Sequence, residues 1–182
     1  GIRQSATSDV IFEDVHVPAS ALVGKEGEGF KIAMKTLEHG RAGVGSGCVG
    51  IMRAALEEAA RYAQVRMSMG KPIYKNQGIS FKLANMQIEI ETSRAMGMKV
   101  AALVDAGSRE AADLGPIAKC YCTDALNRVV TEAVQVLGGY GYMRDYPVEK
   151  LMRDAKIFQI FEGTNEVQRM IIGNNVVRQY KV

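Results

Sequence analysis

From Phe30 onward the apolar residues recur at spacings of three and four, or multiples of them: Phe30, Ala33, Met34, Leu37, Val44, Cys48, Ile51, Met52, Ala55, Leu56, Ala59 and Ala63. That spacing draws one stripe along a helical surface and predicts a long helix. Gly40, Gly43, Gly45, Gly47 and Gly50 fall inside it, each costing about 1 kcal/mol against Ala in a helix interior. Either the segment breaks in two near Gly43, or the missing side chains let another backbone or a ligand come close.

A turn around Gly70-Lys71-Pro72 leads to a second helical pattern, roughly 76 to 106, whose apolar positions (among them Phe81, Met86, Ile88, Ile90 and Met98) cover more than one face and predict packing against two neighbours. Gly107 and Ser108 end it. Gly115-Pro116 suggests a third helix with Pro at its first position, running through Ile117, Ala118, Tyr121, Cys122, Ala125, Val129, Ala133 and Val136 to the stop at Gly138-Gly139. Pro147 opens a shorter helix with Val148, Leu151, Met152 and Ala155 inward. After Gly163 a last helix carries Val167, Met170, Ile171, Asn174 and Val177, with Glu166 placed to support its first turn. Long helices on short connections predict an all-α, antiparallel up-down bundle of four main helices plus a short C-terminal helix. Ahead of it, residues 8 to 23 have the only strand character, with Val10, Phe12, Val15 and Val17 in rough alternation up to Pro18. One or two strands form no stable sheet alone, so residues 1–25 read as the tail of a β structure and 26–182 as the bundle domain.

Composition narrows the class. In 182 residues, 23 Lys and Arg face 20 Asp and Glu, giving a formal charge of +3. The two signs are interleaved and leave no basic stripe for nucleic-acid phosphates. No apolar run reaches the roughly 18 residues of a membrane span. Three cysteines (Cys48, Cys120, Cys122) and two histidines (His16, His39) match no zinc-site spacing, so the thiols read as buried and idle and no metal is expected. The chain begins Gly1-Ile2-Arg3, without initiator Met or presequence, and reads as a piece of something longer.

A catalytic group in a bundle belongs at a helix junction, because residues inside a packed stripe are committed to the core. The first candidate is Ile160-Phe161-Glu162-Gly163-Thr164-Asn165-Glu166. Glu162 follows an apolar run and precedes a Gly that frees the backbone, so its carboxylate could hang into a pocket as a general base. A solvated carboxylate complementing a helix N-terminus is the plainer alternative. The second candidate, Gln135 to Tyr142 (QVLGGYGY), could let a phosphate approach bare amides, or form only a helix stop and turn. It follows no strand and is neither a dinucleotide fingerprint nor a P-loop. The third, Arg66 to Gln77 (RMSMGKPIYKNQ), offers an Arg and polar groups on a turn.

In this order and on this framework, DVIFEDVHVPASALVGKEGEGF, LEHGRAGVGSGCVG, RMSMGKPIYKNQ and AVQVLGGYGYMRDYPVEKLMRDAKIFQIFEGTNEVQR resemble the C-terminal half of the acyl-CoA dehydrogenase family over essentially the whole chain. The resemblance implies an FAD enzyme that oxidises an acyl-CoA thioester to its trans-2-enoyl form. A carboxylate takes the α-proton while the β-hydrogen leaves as hydride to flavin N5. Glu162 stands at the family's catalytic base in the EGT motif. Some members carry the base on the first bundle helix, just before the Arg that here is Arg41, but this chain has Gly40 there.

The resemblance further implies acyl-CoA contacts at Glu38, Arg41 and Gly163. It places Arg66, Ser68, Gln77 and Gln135, Val136, Leu137, Gly138 and Gly139 against the FAD of a neighbouring subunit, and Thr164, Asn165 and Glu166 against the chain's own. A homodimer or homotetramer and an electron-transfer flavoprotein as electron acceptor follow from it. Met69 replaces a frequent Phe, and Phe161 a frequent Tyr. The family's preceding α-helical and β domains are absent here, so the segment alone is expected to bind FAD weakly and to turn nothing over. An acyl-CoA oxidase or other flavoenzyme on the same scaffold, or a non-catalytic helical assembly module, are the alternatives. A bacterial cytoplasm is expected, with the mitochondrial matrix as the alternative.

Overall fold

The computed structural model describes residues 1–181, except the side chains of Glu38, His39, Arg41 and Ala42. Helix α1 spans Gly29–Val65, α2 Gln77–Asp105, α3 Glu110–Leu137, α4 Val148–Ala155 and α5 Asn165–Gln179, with a hairpin of β1 (Met67–Ser68) and β2 (Lys71–Pro72) between α1 and α2. The first three helices, of 37, 29 and 28 residues, form the body. Helix α3 lies at its centre and touches the other four. The predicted bundle forms: Gly97 of α2 packs on Ser46 of α1, and Glu89 of α2 binds Tyr121 and Arg128 of α3, so α2 runs antiparallel to both.

The core is what the helical periods demand. Cys48, Met52, Ala55, Ala59 and Ala63 of α1 meet Met86 and Ile90 of α2 and Cys122, Ala125, Leu126, Val129, Val130 and Ala133 of α3, all at most 1% exposed. Small residues along α1 bring its backbone close to α3. Three buried cysteines remain free thiols. Burial pushes the Cys48 thiol up to about 12, which keeps it unreactive at neutral pH. Among the described residues no helix is long and apolar enough to cross a membrane, and no cluster of side chains could hold a metal.

Helix α1 is unbroken through Gly43, so the predicted long helix forms and the alternative break does not. The structure corrects other expectations. Residues 8–23 form no strand, and Val10, Ile11, Phe12, Val15 and Val17 are each more than half exposed, since strand pairing needs a neighbour that this chain does not supply. Helix α3 starts six residues before Pro116. A Schellman motif closes α2, Ser108 N–H donating to Leu103 O and Gly107 N–H to Val104 O at φ +61°. Ser108 Oγ then accepts from Glu110 N–H and starts α3. Pro116 thus lies in the second turn of α3, where it leaves the carbonyl of Ala112 without its ladder bond.

Inward faces also shift. Met152 is exposed on α4. On α5 the buried residues are Asn165 and Gln168, whereas Val167, Met170 and Val177 are exposed, as is Asn174. Helix α2 has two neighbours, as predicted, but buries one face; Phe81, Ile88 and Met98 point outward.

Candidate active site

Between the 3-10 turn Lys156–Gln159 and α5 the chain passes through residues 160–164. Its two central residues are both left-handed, Glu162 at φ +56° and Gly163 at φ +87°. A non-glycine residue there is uncommon and has to be held by its surroundings. Thr164 caps α5, its Oγ1 accepting from Val167 N–H at 3.3 Å. Gln168 is fully buried and its Nε2 donates to Gly163 O at 3.1 Å. Phe158 and Phe161 stack edge to face, centroids 5.0 Å apart. Glu166 is held below the usual carboxylate range by its own backbone N–H and the Thr164 hydroxyl.

This loop seats the Glu162 carboxylate against α1. A Cβ built on Gly40 would lie 2.7 Å from Glu162 Oε2, so any side chain at position 40 would displace the carboxylate. Close approach therefore explains Gly40, whereas a Cβ at Gly45 or Gly47 would make only ordinary contact with Cys122 and Phe158, at 3.7 and 3.9 Å, and Gly43 and Gly50 meet open space. The side chains of Glu38 and Arg41 lie outside the described residues.

Behind the loop is a polar group that sequence reasoning missed. Lys119 of α3 is fully buried, and its Nζ donates to Asn165 Oδ1 at 2.8 Å; burial pushes this ammonium's pKa down. Asn165 Nδ2 donates to Thr123 Oγ1 at 2.9 Å and to Asp124 Oδ1 at 2.8 Å. Gln159 Nε2 reaches the same Asp124 oxygen at 2.6 Å, and Arg169 donates to the other. The Asn165 side chain is thus spent on Lys119, Thr123 and Asp124 of α3. A signal was present: Lys119 and Thr123 stand in a row that continues as Leu126, Val130, Ala133 and Leu137, two polar residues on a buried apolar face.

At the far end of α1 a second recess of about 760 Å³ gathers Arg66, Ser68, Val136, Leu137, Gly138 and Gly139. The two-residue loop Met69-Gly70 has both φ positive, the geometry of a type I′ hairpin, and it holds Ser68 beside the α3 stop. Gly138, at φ +62°, ends α3 with its amide donating to Gln135 O and Val134 O, and neither it nor Gly139 has an atom near its Cβ position, so a ligand can come close to the backbone there. Arg66 lies over the Tyr140 ring at 5.8 Å, and Tyr140 packs with Tyr62 and Tyr146. Gln77 and Gln135 are exposed and do not line this recess. The two sites are about 39 Å apart along α1, from Gly40 to Arg66 at 1.5 Å per residue.

Residues 27–177 match the family model described as acyl-CoA dehydrogenase, C-terminal domain. The short-chain specific acyl-CoA dehydrogenase of Megasphaera elsdenii is 50% identical over 98% of this chain and 46% of its own. The solved butyryl-CoA dehydrogenase of the same organism superposes with a TM-score of 0.89, at 50% identity, over 92% of this chain and 44% of that one. A chain from work on the electron transferring flavoprotein of Acidaminococcus fermentans, 45% identical, gives 0.89 over 92% of this chain and 44% of its own. The chain spans a little under half the length of these relatives. With that family-model match and these identities, the chain belongs to the acyl-CoA dehydrogenase family and corresponds to its C-terminal domain.

Proposed function

We propose that this chain is the C-terminal part of an FAD-dependent dehydrogenase that converts a short-chain acyl-CoA to its trans-2-enoyl-CoA, with Glu162 taking the α-proton. One observation carries the reading: the Glu162 carboxylate sits on a left-handed loop against the bare backbone of Gly40. The two positions the family uses for its base thereby converge on one point in space, and this chain fills it from the loop. Names of the relatives, butyryl-CoA dehydrogenase among them, support the substrate class.

Glu162 would accept the α-proton from a thioester laid along α1, with Gly163 leaving room beside the reacting carbons. Phe158 and Phe161 wall the approach and limit water, which keeps the carboxylate an effective base. Glu38 and Arg41 belong to the same stretch of α1 and are proposed to contact the acyl-CoA. Flavin, when bound, supplies the acceptor for the β-hydrogen and its electron pair.

A guanidinium beside glycines that leave room for close approach suits the diphosphate of a flavin dinucleotide, and the recess at Arg66, Ser68 and Val136 to Gly139 offers both. Gln77 and Gln135 flank it. Thr164, Glu166 and the Asn165 backbone would meet flavin at the other end. About 39 Å along α1 is more than one such molecule spans, so the two sets serve different cofactors and the working form is at least a dimer. An electron-transfer flavoprotein as acceptor rests on the relative from Acidaminococcus fermentans. Bacterial sources of these relatives favour a bacterial cytoplasm.

The test is the anaerobic absorbance spectrum of the longer enzyme containing these residues, before and after butyryl-CoA, octanoyl-CoA or glutaryl-CoA. Butyryl-CoA is expected to bleach the flavin band, and Glu162→Gln to slow bleaching by about 10²- to 10⁴-fold. An unbleached flavin would sink the substrate class; a fully active Glu162→Gln enzyme would sink the base and favour the assembly-module alternative.

A further inference from the structure

The segment that carries Glu162 is closed at its base by one carboxylate. Asp124 Oδ1 accepts from Gln159, the last residue before the loop, at 2.6 Å, and from Asn165, the first residue after it, at 2.8 Å. Both left-handed residues lie between these two bonds, and inside the loop Gln168 Nε2 adds a bond to Gly163 O. Asp124 Oδ2 takes Arg169 one turn into α5 at 2.6 Å, and Lys119 fixes the remaining oxygen of Asn165 from behind at 2.8 Å. Thr123 Oγ1 completes the set between Asn165 Nδ2 and Lys119 O. Asn165 is 2% exposed and Lys119 fully buried, so the Lys119–Asn165 bond is shielded from water, while the Asp124 carboxylate is part-buried and its Arg169 partner exposed.

We propose that Asp124, with Lys119 completing the hold on Asn165, is a positioning residue for Glu162: it clamps the two ends of the loop together and so fixes the carboxylate at Gly40. This rests on the reading of Glu162 as the base. The geometry is specific to the task. A bond at one end would anchor α5 or the 3-10 turn to α3, which packing already does. A shared acceptor sets the separation of the two ends, and with it the curvature that a left-handed Glu requires. Neither Asp124 nor Lys119 reaches the reacting atoms, so neither is catalytic.

The clamp is tested by Asp124→Ala and, independently, by Gln159→Leu, which removes one staple and leaves the buried bonds intact. In the longer flavin-loaded enzyme each is expected to lower kcat by about ten- to a hundredfold, the scale of a misplacement of roughly 1 Å. KM should stay within about twofold, since substrate contacts are untouched. The deuterium isotope effect with α-deuterated butyryl-CoA should rise as proton removal becomes slower. Arg128→Ala, elsewhere on α3, is the control expected to change none of these.

A second readout needs no flavin. In the 182-residue chain, amide hydrogen exchange at 161–164 should quicken at least tenfold in Asp124→Ala or Gln159→Leu, with amides 129–136 unchanged. Unchanged exchange at the loop, or exchange raised equally in the core, overturns the clamp whatever Glu162 does. Quickened exchange alongside a fully active Glu162→Gln enzyme keeps the clamp as loop architecture and overturns its catalytic purpose.

Discussion

Glu162 and Gly163 differ from their neighbours in backbone handedness, and what they can tolerate follows from it. A Cβ at position 163 would face both φ +87° and Gln168 Nε2 at 2.6 Å. Gly163→Ala is therefore expected to cost about 1–3 kcal/mol in chemical denaturation; an unchanged midpoint would mean the loop relaxes freely. Asp124 allows a pH argument. Burial pushes its pKa up, but the bonds from Gln159, Arg169 and Asn165 outweigh that, and the net value lies below the ordinary 3.8. A lowered carboxylate contributes stability above its unfolded value and loses it as pH falls through the folded one. Stability should thus drop below about pH 4, and Asp124→Asn should flatten that acid limb in urea titrations. At this scale the sequence was readable at the bend it announced, where Gly163 frees the backbone beside Glu162. It was opaque at Asp124 and Lys119, because which polar residue faces a helix end depends on how the helices dock.

Helix starts and stops were legible where the chain has its own punctuation. Gly107-Ser108 and Gly138-Gly139 end α2 and α3 through positive φ, and Gly70 helps turn the hairpin. The start of α3 was hidden by Pro116, although Ser108 with Glu110 carried the capping signal. The buried face of α5 was not legible because its apolar residues are not its buried ones: Asn165 and Gln168 are buried there instead. Thr164 is a side-chain N-cap of α5, and Thr164→Ala should lower stability by about 1 kcal/mol, measurable as a shifted thermal midpoint. The turn after α3 makes a sterner demand. At Gly141 a Cβ would approach Val134 O to 2.6 Å, so Gly141→Ala should cost about 1–3 kcal/mol and disturb the recess holding Arg66. An unaltered thermal midpoint would show that the turn yields.

On the whole molecule, the apolar surface left open is extensive. Val10, Ile11, Phe12 and Val17 lie along the N-terminal segment, Phe81, Ile88 and Met98 along α2, and Met170 and Val177 along α5, all more than half exposed. Patches of this kind mark association surfaces. Analytical ultracentrifugation of the 182-residue chain at tens of micromolar is expected to find dimers or larger species, and a clean monomer would count against it. The same material should carry little flavin, and a stoichiometric flavin spectrum after purification would contradict the need for further domains. The bundle was legible from apolar periodicity alone, whereas the strand character at 8–23 had no partner on which to act.

The separation of Glu162 from Arg66 along α1 has a genetic consequence. If each active centre takes its base from one subunit and its diphosphate recess from another, two crippled alleles can rescue each other. Neither Glu162→Gln nor Arg66→Ala homomers would support growth on a short-chain fatty acid. Co-expressed in equal amounts, they would assemble mixed dimers in which one centre inherits both sound halves, restoring about a quarter of wild-type centres. Complementation between alleles of a single gene would then read out, in living cells, which residues share a centre and which belong to the neighbour.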